Sequence, residues 1–246
     1  IRRIDHVIGT HPQLDHVGGL AWILAHFQVE KFWTNGAERQ EEFWRRIERA
    51  MVQRKLEATV ATEGRLISEG PACRMVVLNP QPRPESSISA KSESLNNLSV
   101  VTELVCREQR VLFTGDIERE ALTRLTHSGN SAHIALLKVP HHGAKSSLER
   151  RWLEAIRPAV AVVSAGRGNP YGHPAGEVLA AYQAVETQVW RTDRDGAIWA
   201  DLDLTRQELS MHSTREWILQ PALPSADIWS VEQDNLRRLW RRWNWT

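Results

Sequence analysis

Apolar positions along this chain follow two periods, one typical of strands and one typical of helices. Strands are predicted where short apolar or alternating runs occur, at residues 4–10, 29–34, 59–67, 74–79, 98–106, 110–114, 135–139, 159–164, 188–191, 197–204 and 208–211. Helices are predicted where apolar residues recur every three or four positions, at residues 17–27, 37–56, 117–125, 147–156 and 174–185. Strands and helices mixed in this way predict sheets covered by helices, an α/β or α+β sandwich.

Residues 80–93 do not fit this pattern. They contain three prolines, several serines and almost nothing apolar. Such a stretch buries too little surface to fold, so it predicts an exposed loop.

The end of the chain also differs from the rest, because five of the 11 tryptophans follow His212. One helical face there carries Leu236, Leu239, Trp240 and Trp243, with arginines on the other face. This pattern is typical of a helix on a membrane surface or a phosphate backbone, or of a cap that packs back onto the domain. We therefore expect a domain at residues 1–211 and a Trp/Arg-rich tail at residues 212–246.

The composition narrows the function classes. A net charge of +1 over 246 residues argues against a nucleic-acid binder that works by charge alone. No apolar run of about 18 residues is present, so no membrane span is predicted. Cys73 and Cys106 form no disulfide framework or thiolate zinc site. We expect two core cysteines with no evident disulfide partner, and a single bridge is left open.

The candidate chemistry begins directly after the first predicted strand. The sequence Thr-His-Pro-Gln-Leu-Asp-His-Val-Gly-Gly spans residues 10–19 and places His11, Gln13, Asp15 and His16 in one short loop. Two imidazoles and a carboxylate at the mouth of a strand are typical metal ligands. The paired glycines let the backbone turn sharply into a helix. This loop predicts a metal site.

Four further polar clusters stand at strand ends, where loops present functional groups from a rigid scaffold. They are Asn96-Asn97-Leu98-Ser99, Phe113-Thr114-Gly115-Asp116, Lys138-Val139-Pro140-His141-His142-Gly143 and Asn169-Pro170-Tyr171-Gly172-His173-Pro174. A single aspartate at a strand end is most often a cap. Repetition of such clusters at the same kind of position indicates one composite site.

Together these motifs resemble the metallo-β-lactamase superfamily, whose metal signature is His-x-His/Asp-x-Asp-His. The combination with Leu-Phe-Thr-Gly-Asp, Leu-Lys-Val-Pro-His-His-Gly-Ala and Asn-Pro-Tyr-Gly-His-Pro is similar to the C-terminal domain of the ComEC/Rec2 DNA-uptake proteins. The resemblance covers residues 4–203 and implies an αββα two-sheet sandwich with a metal site along one edge. Members carry an opening pair of strands that is absent before residue 4. The chain also lacks an initiating Met, so we expect a piece of a longer protein with an incomplete first sheet.

The resemblance implies a set of metal ligands. One divalent ion would be held by Asp15, His16, Asp116 and His142. Asp116 would bridge to a second ion, to whose site His11 would belong. One or two ions, Zn, Mn or Fe, are therefore expected. Gln13 stands where the superfamily has His or Asp, and a neutral amide is a poor ligand, so the site around His11 is expected to be weakened.

The resemblance also implies other roles at this site. Asp15 would orient the attacking water, and His173 would contact the phosphate or the leaving group. Asn97 and Ser146 would contact the substrate or support the ligands, and His141 would hydrogen-bond behind its neighbour.

The function implied is a metal-dependent hydrolase of phosphodiesters, a nuclease that acts on incoming DNA. Its partners would be DNA and the membrane channel of the same parent protein. The domain would lie on the extracytoplasmic side of a bacterial inner membrane. The alternatives are a hydrolase of another substrate and a catalytically degenerate domain that binds DNA or a partner.

Overall fold

The computed structural model describes residues 2–37, 41–82, 94–127 and 133–215. The strands are β1 Arg3–Gly9, β2 Gln28–Thr34, β3 Ala58–Val60, β4 Leu66–Glu69, β5 Cys73–Asn79, β6 Val101–Cys106, β7 Gln109–Phe113, β8 Leu136–Lys138, β9 Val160–Val163, β10 Gln188–Arg191, β11 Ile198–Asp203 and β12 Glu208–Ser213. The helices are α1 Leu14–Val17, α2 Leu20–His26, α3 Glu42–Arg54, α4 Arg119–His127, α5 Arg150–Ile156, α6 Gly176–Ala184 and α7 Thr192–Asp195.

The described strands form two main sheets and a hairpin. The first sheet has the order β1-β2-β3, with all strands parallel. The second has the order β10-β9-β8-β7-β6-β5-β4, parallel from β10 to β7 and antiparallel beyond. Strands β11 and β12 pair with each other.

Three apolar clusters hold the layers together. Strand β2 contributes to two of these clusters. Its Phe32 packs toward α2 and α3, whereas the neighbouring Trp33 faces the second sheet. Alternate side chains of a strand point to opposite faces, so one strand supplies both contacts. The other face of the second sheet packs against α4, α5 and α6, with Trp152 in the shared core. The layer order is therefore helix, sheet, sheet, helix. The predicted αββα sandwich is confirmed.

The candidate clusters meet at one edge of this sandwich. Strands β7, β8 and β9 are parallel neighbours, so their carboxyl ends lie side by side. The carboxyl end of β1 joins the same edge, because the Val100 N–H donates to the Thr10 carbonyl at 2.8 Å. The topology therefore brings the loop after β1 to the loops after the three parallel strands.

Two predicted elements are wrong in their extent. Residues 59–67, expected as one strand, contribute to β3 in the first sheet and β4 in the second. Gly64 has φ +81° in the turn between them. Residues 17–27, expected as one helix, divide into α1 and α2 at Gly18-Gly19. Both breaks fall at glycines, whose conformational freedom a hydrophobic pattern does not register.

The two cysteines correct a further expectation, because Cys73 and Cys106 form a disulfide. They stand directly opposite each other on the antiparallel pair β5 and β6. Separate strands were correctly predicted, but the register that makes the cysteines neighbours was not.

Other expectations fall outside the described residues or concern the membrane. The predicted loop at residues 80–93 is described only up to residue 82, and the Trp/Arg-rich tail only up to residue 215. Strand β12 continues to Ser213, two residues beyond the expected domain boundary. Among the described helices, none has the length and apolar character needed to cross a bilayer.

Candidate metal centre

The loop after β1 supplies the first four polar side chains of the site, His11, Gln13, Asp15 and His16. Gln13 is extended and stands directly before α1. The single turn of α1 then carries Asp15 and His16 side by side. Asp15 is exposed and His16 is largely buried. His11 is buried, with its Nδ1 3.1 Å from Thr10 Oγ1 and 3.2 Å from Ser99 Oγ.

The turn after β7 buries Asp116 at the centre. Gly115 precedes it with φ +54°, and the Asp116 N–H donates to Ser99 Oγ at 3.0 Å. The carboxylate is 1% exposed. Asp116 Oδ2 lies 3.1 Å from His16 Nε2 and 3.2 Å from His142 Nε2. One carboxylate oxygen therefore faces two imidazole nitrogens.

The loop after β8 presents His142 in an unusual backbone conformation. His141 and His142 have φ of +46° and +55°, a region that non-glycine residues seldom adopt and that often marks functional sites. His142 Nδ1 lies 2.6 Å from the Ser164 carbonyl. Because a carbonyl only accepts, Nδ1 carries the proton and Nε2 of neutral His142 has a free lone pair.

Asp15, His16, Asp116 and His142 each offer a ligand atom within 4.8 Å of the other three. The Nε2 atoms of His16 and His142 are buried and make no hydrogen bond. Two buried imidazole nitrogens without a hydrogen bond, beside one carboxylate oxygen, are an arrangement that a bound cation would satisfy. These residues therefore fit a divalent metal ion.

The electrostatics of the site favour an ionised carboxylate. Burial raises the pKa of Asp116, but the imidazoles of His142 and His16 and the ammonium of Lys138 lower it well below its ordinary range. The same carboxylate raises the pKa of His142 against the effect of burial. A proton on His142 and a metal ion therefore compete for the same position.

His11 and Gln13 lie beside this group of four but outside it. Burial and the neighbouring His16 lower the pKa of His11 to about 4, so its ring is neutral at pH 7. His11 Nε2 is buried without a hydrogen bond. Gln13 Nε2 donates to Asn96 Oδ1 at 2.7 Å. Gln13, which stands where the superfamily has an acidic or imidazole ligand, is therefore hydrogen-bonded to the loop before β6.

Comparison with known proteins agrees with this geometry. The profile of the metallo-β-lactamase superfamily matches residues 1–72, which contain the first loop. ComE operon protein 3 of Bacillus subtilis is 29% identical over 207 residues, which cover 80% of this chain and 24% of that protein. Competence protein ComA of Neisseria gonorrhoeae is 28% identical, with 80% and 25% covered. Recombination protein 2 of Haemophilus influenzae is 25% identical, with 86% and 24% covered.

Residues 1–72 match the metallo-β-lactamase superfamily, and the fold of the described residues is of its αββα type. The curated relatives that the chain is similar to are proteins of the ComEC/Rec2 family, at 25–29% identity. The chain spans about a quarter of the length of these relatives. This is a hydrolase superfamily, and the group of four is the part of the described chain that suits its metal chemistry.

Against the superfamily pattern, the structure brings together the four predicted ligands of one ion and leaves His11 apart from them. Their roles remain predictions. His141 lies behind the group, with Nε2 4.0 Å from Asp116 Oδ2 and Nδ1 3.3 Å from Glu118 Oε1. Its supporting role likewise remains a prediction.

The other three predicted site residues, His173, Ser146 and Asn97, differ in their burial and in their partners. His173 is half-buried, with its ring centroid 5.9 Å from that of His141, and burial together with His141 and His142 lowers its pKa. Ser146 Oγ is exposed and donates to Glu118 Oε1 at 2.8 Å. Asn97 is buried, and its Oδ1 accepts from the Glu118 N–H at 2.8 Å. This placement favours support for the loop over contact with a substrate.

Two residues near the site were missed by the sequence analysis. Lys138 Nζ lies 3.3 Å from Asp116 Oδ1, and burial lowers its pKa while Asp116 opposes that shift. Tyr171 is 78% exposed and stacks against His173 at 5.9 Å. Both stand inside motifs that were quoted for the resemblance. For Lys138, the available signal in the sequence was a lysine at the end of an apolar strand.

Proposed function

We propose that this domain is a metal-dependent phosphodiesterase that cleaves DNA. The observation that carries the proposal is the convergence of two unpartnered imidazole nitrogens, His16 Nε2 and His142 Nε2, on the buried Asp116 carboxylate. Asp15 closes the group from the solvent side, with Oδ2 3.6 Å from each of these nitrogens. A divalent ion bound there would supply Lewis-acid activation of water and of the phosphate.

The chain's own residues then have distinct tasks. Asp116, His16 and His142 would hold the ion, and the Ser164 carbonyl orients the His142 ring. Asp15 is 60% exposed, so its outer oxygen is free to accept a hydrogen bond from the attacking water. The N–H of neutral His173 donates to a phosphate oxygen at the open side of the site.

Several observations support DNA as the substrate. The relatives include proteins named for competence and for recombination. Tyr171 presents an exposed ring beside His173, and an aromatic face next to a phosphate site suits a nucleobase. The net charge of +1 means that binding would depend on such local contacts more than on overall charge.

The setting of the domain is also part of the proposal. We place it in a longer membrane protein, next to the channel portion, and on the extracytoplasmic side. The Cys73–Cys106 disulfide supports this side, because disulfides persist mainly in oxidising compartments. The division into a domain at residues 1–211 and a Trp/Arg-rich tail at residues 212–246 remains a proposal.

The test is cleavage of single- and double-stranded DNA in added Mn²⁺ or Zn²⁺, with His173→Ala as the diagnostic variant. We expect cleavage by the unmodified chain and a decrease in kcat/KM of about 10- to 100-fold in the variant, because a hydrogen bond to a charged group contributes about 1.5–3 kcal/mol. His26→Ala, at the exposed far end of α2, is the matched control and should change nothing. Failure of the unmodified chain to cleave DNA or bis(p-nitrophenyl) phosphate in either metal would refute the proposal. Retained DNA binding in that case would favour the degenerate alternative.

Tyr171 gives a separate prediction about substrate binding. Tyr171→Ala should raise KM for single-stranded DNA about tenfold with kcat little changed, since base stacking contributes about 1–3 kcal/mol. Tyr171→Phe keeps the aromatic face and should match the unmodified chain. Steady-state kinetics on a short oligonucleotide provide the measurement. Equal losses in both variants would rule out stacking as the cause.

A further inference from the structure

We propose that the site binds a single divalent ion and that the Lys138 ammonium supplies a second, built-in positive charge on Asp116. This inference rests on the proposed metal site and specifies how many ions it holds. It concerns the two oxygens of one buried carboxylate, which face different partners.

The geometry around Lys138 is that of a fixed ammonium. Its Nζ lies 2.8 Å from the Gly115 carbonyl, 3.1 Å from the Val139 carbonyl and 3.3 Å from Asp116 Oδ1. An ammonium donates three hydrogen bonds and accepts none, and here three oxygen atoms are placed to accept from it. The side chain is three-quarters buried, with 23% exposed. Lys138 therefore holds one oxygen of Asp116, and the other faces His16 and His142.

A carboxylate that bridges through both oxygens offers one to each of two metal ions, and here Oδ1 is already bound by a cation. Asp15 and Asp116 carry two negative charges, which Lys138 reduces to one. Glu118 adds a charge further out, but its carboxylate is engaged by His141 and Ser146. One divalent ion therefore leaves the centre with one net positive charge, whereas two would leave three net positive charges in a partly buried site.

The residues around His11 do not compensate for the positive charge that a second ion would add. Its residues are the neutral His11 ring, the Gln13 amide bound to Asn96, and the hydroxyls of Thr10 and Ser99. None of these side chains is anionic. In the described part of the chain, the residues that could hold a metal ion group around Asp116 without His11.

The experiment counts ions by calorimetric titration of the chelator-treated chain with Mn²⁺ and with Zn²⁺, and by elemental analysis after desalting. The unmodified chain should bind one equivalent. Lys138→Met keeps the length of the side chain without its charge, and it should bind the first ion about tenfold more tightly, because repulsion between two nearby cations is removed. Lys138→Arg keeps the charge and should bind one equivalent with little change in affinity.

The outcomes separate the inference from the proposed function. Two equivalents in the unmodified chain, or equal or weaker binding in folded Lys138→Met, would overturn the inference and leave a metal-dependent hydrolase intact. No binding at all would remove both. One equivalent without DNA cleavage would support the inference and count against the nuclease. If Lys138→Met does not fold by circular dichroism, Lys138→Gln and the count in the unmodified chain decide the question.

Discussion

Asp116→Asn is expected to lower the affinity for a divalent ion about 1,000-fold. Even an outer partner of a metal ligand typically costs 10- to 100-fold when removed, and Asp116 would contribute a direct anionic ligand. Its carboxylate faces His16, His142 and Lys138 together, at 3.1–3.3 Å. Because asparagine has the same shape as aspartate, the loss of metal affinity would be due to the missing charge and not to altered packing. Competition with a chromogenic chelator at pH 7 measures it.

The same variant should also destabilise the metal-free protein. Removing one partner from a buried ion pair leaves Lys138 uncompensated and costs about 3–5 kcal/mol. The lowered pKa of Asp116 means that its stabilising charge is present above the ordinary carboxyl pKa and is lost only in strong acid, so urea unfolding at pH 7 in a chelator is suitable.

Asp15→Asn is the control that separates the two effects. Asp15 is 60% exposed, so its loss should weaken metal binding with little change in the free energy of unfolding. If Asp116→Asn bound metal as tightly as the unmodified chain, the group of four would not be the metal site.

The sequence predicted this site better than it predicted the strand register. Each proposed ligand follows a strand, and parallel strands present their carboxyl ends at one edge, so Asp15, Asp116 and His142 were expected to converge. The disulfide depended on which residues of β5 and β6 stand opposite each other, and local pattern does not determine that.

Lys138 and residues 59–67 show two further limits of the sequence. Lys138 ends β8, where a lysine usually reaches solvent, and the turn after β7 supplies two of the three acceptors around its ammonium. Alternation over residues 59–67 is the same whether a strand continues or crosses to another sheet. Both outcomes depend on contacts between residues distant in sequence.

Gly115→Ala is expected to lower the free energy of unfolding by about 3 kcal/mol. The left-handed backbone at φ +54° costs a residue with a Cβ about 1–2 kcal/mol, and crowding of a packed core costs about 1–3 kcal/mol more. A Cβ at this position would lie 2.6 Å from Ser99 Cβ, and Ser99 is fully buried.

The metal site should respond to Gly115→Ala as well. Ser99 Oγ accepts the Asp116 N–H, so displacing Ser99 moves the carboxylate relative to His16 and His142. We expect about tenfold weaker metal binding, because loss of a hydrogen bond that orients a metal ligand typically lowers affinity about 10- to 100-fold.

Gly64→Ala is the matched control, because Gly64 also has positive φ, +81°, but a Cβ there would meet no atom within 4 Å. It should lose only the backbone contribution, about 1 kcal/mol, and keep its metal affinity. Urea unfolding and the chelator competition measure both quantities. Equal effects at the two glycines would mean that backbone strain alone is responsible and that the Gly115–Ser99 contact does not position Asp116.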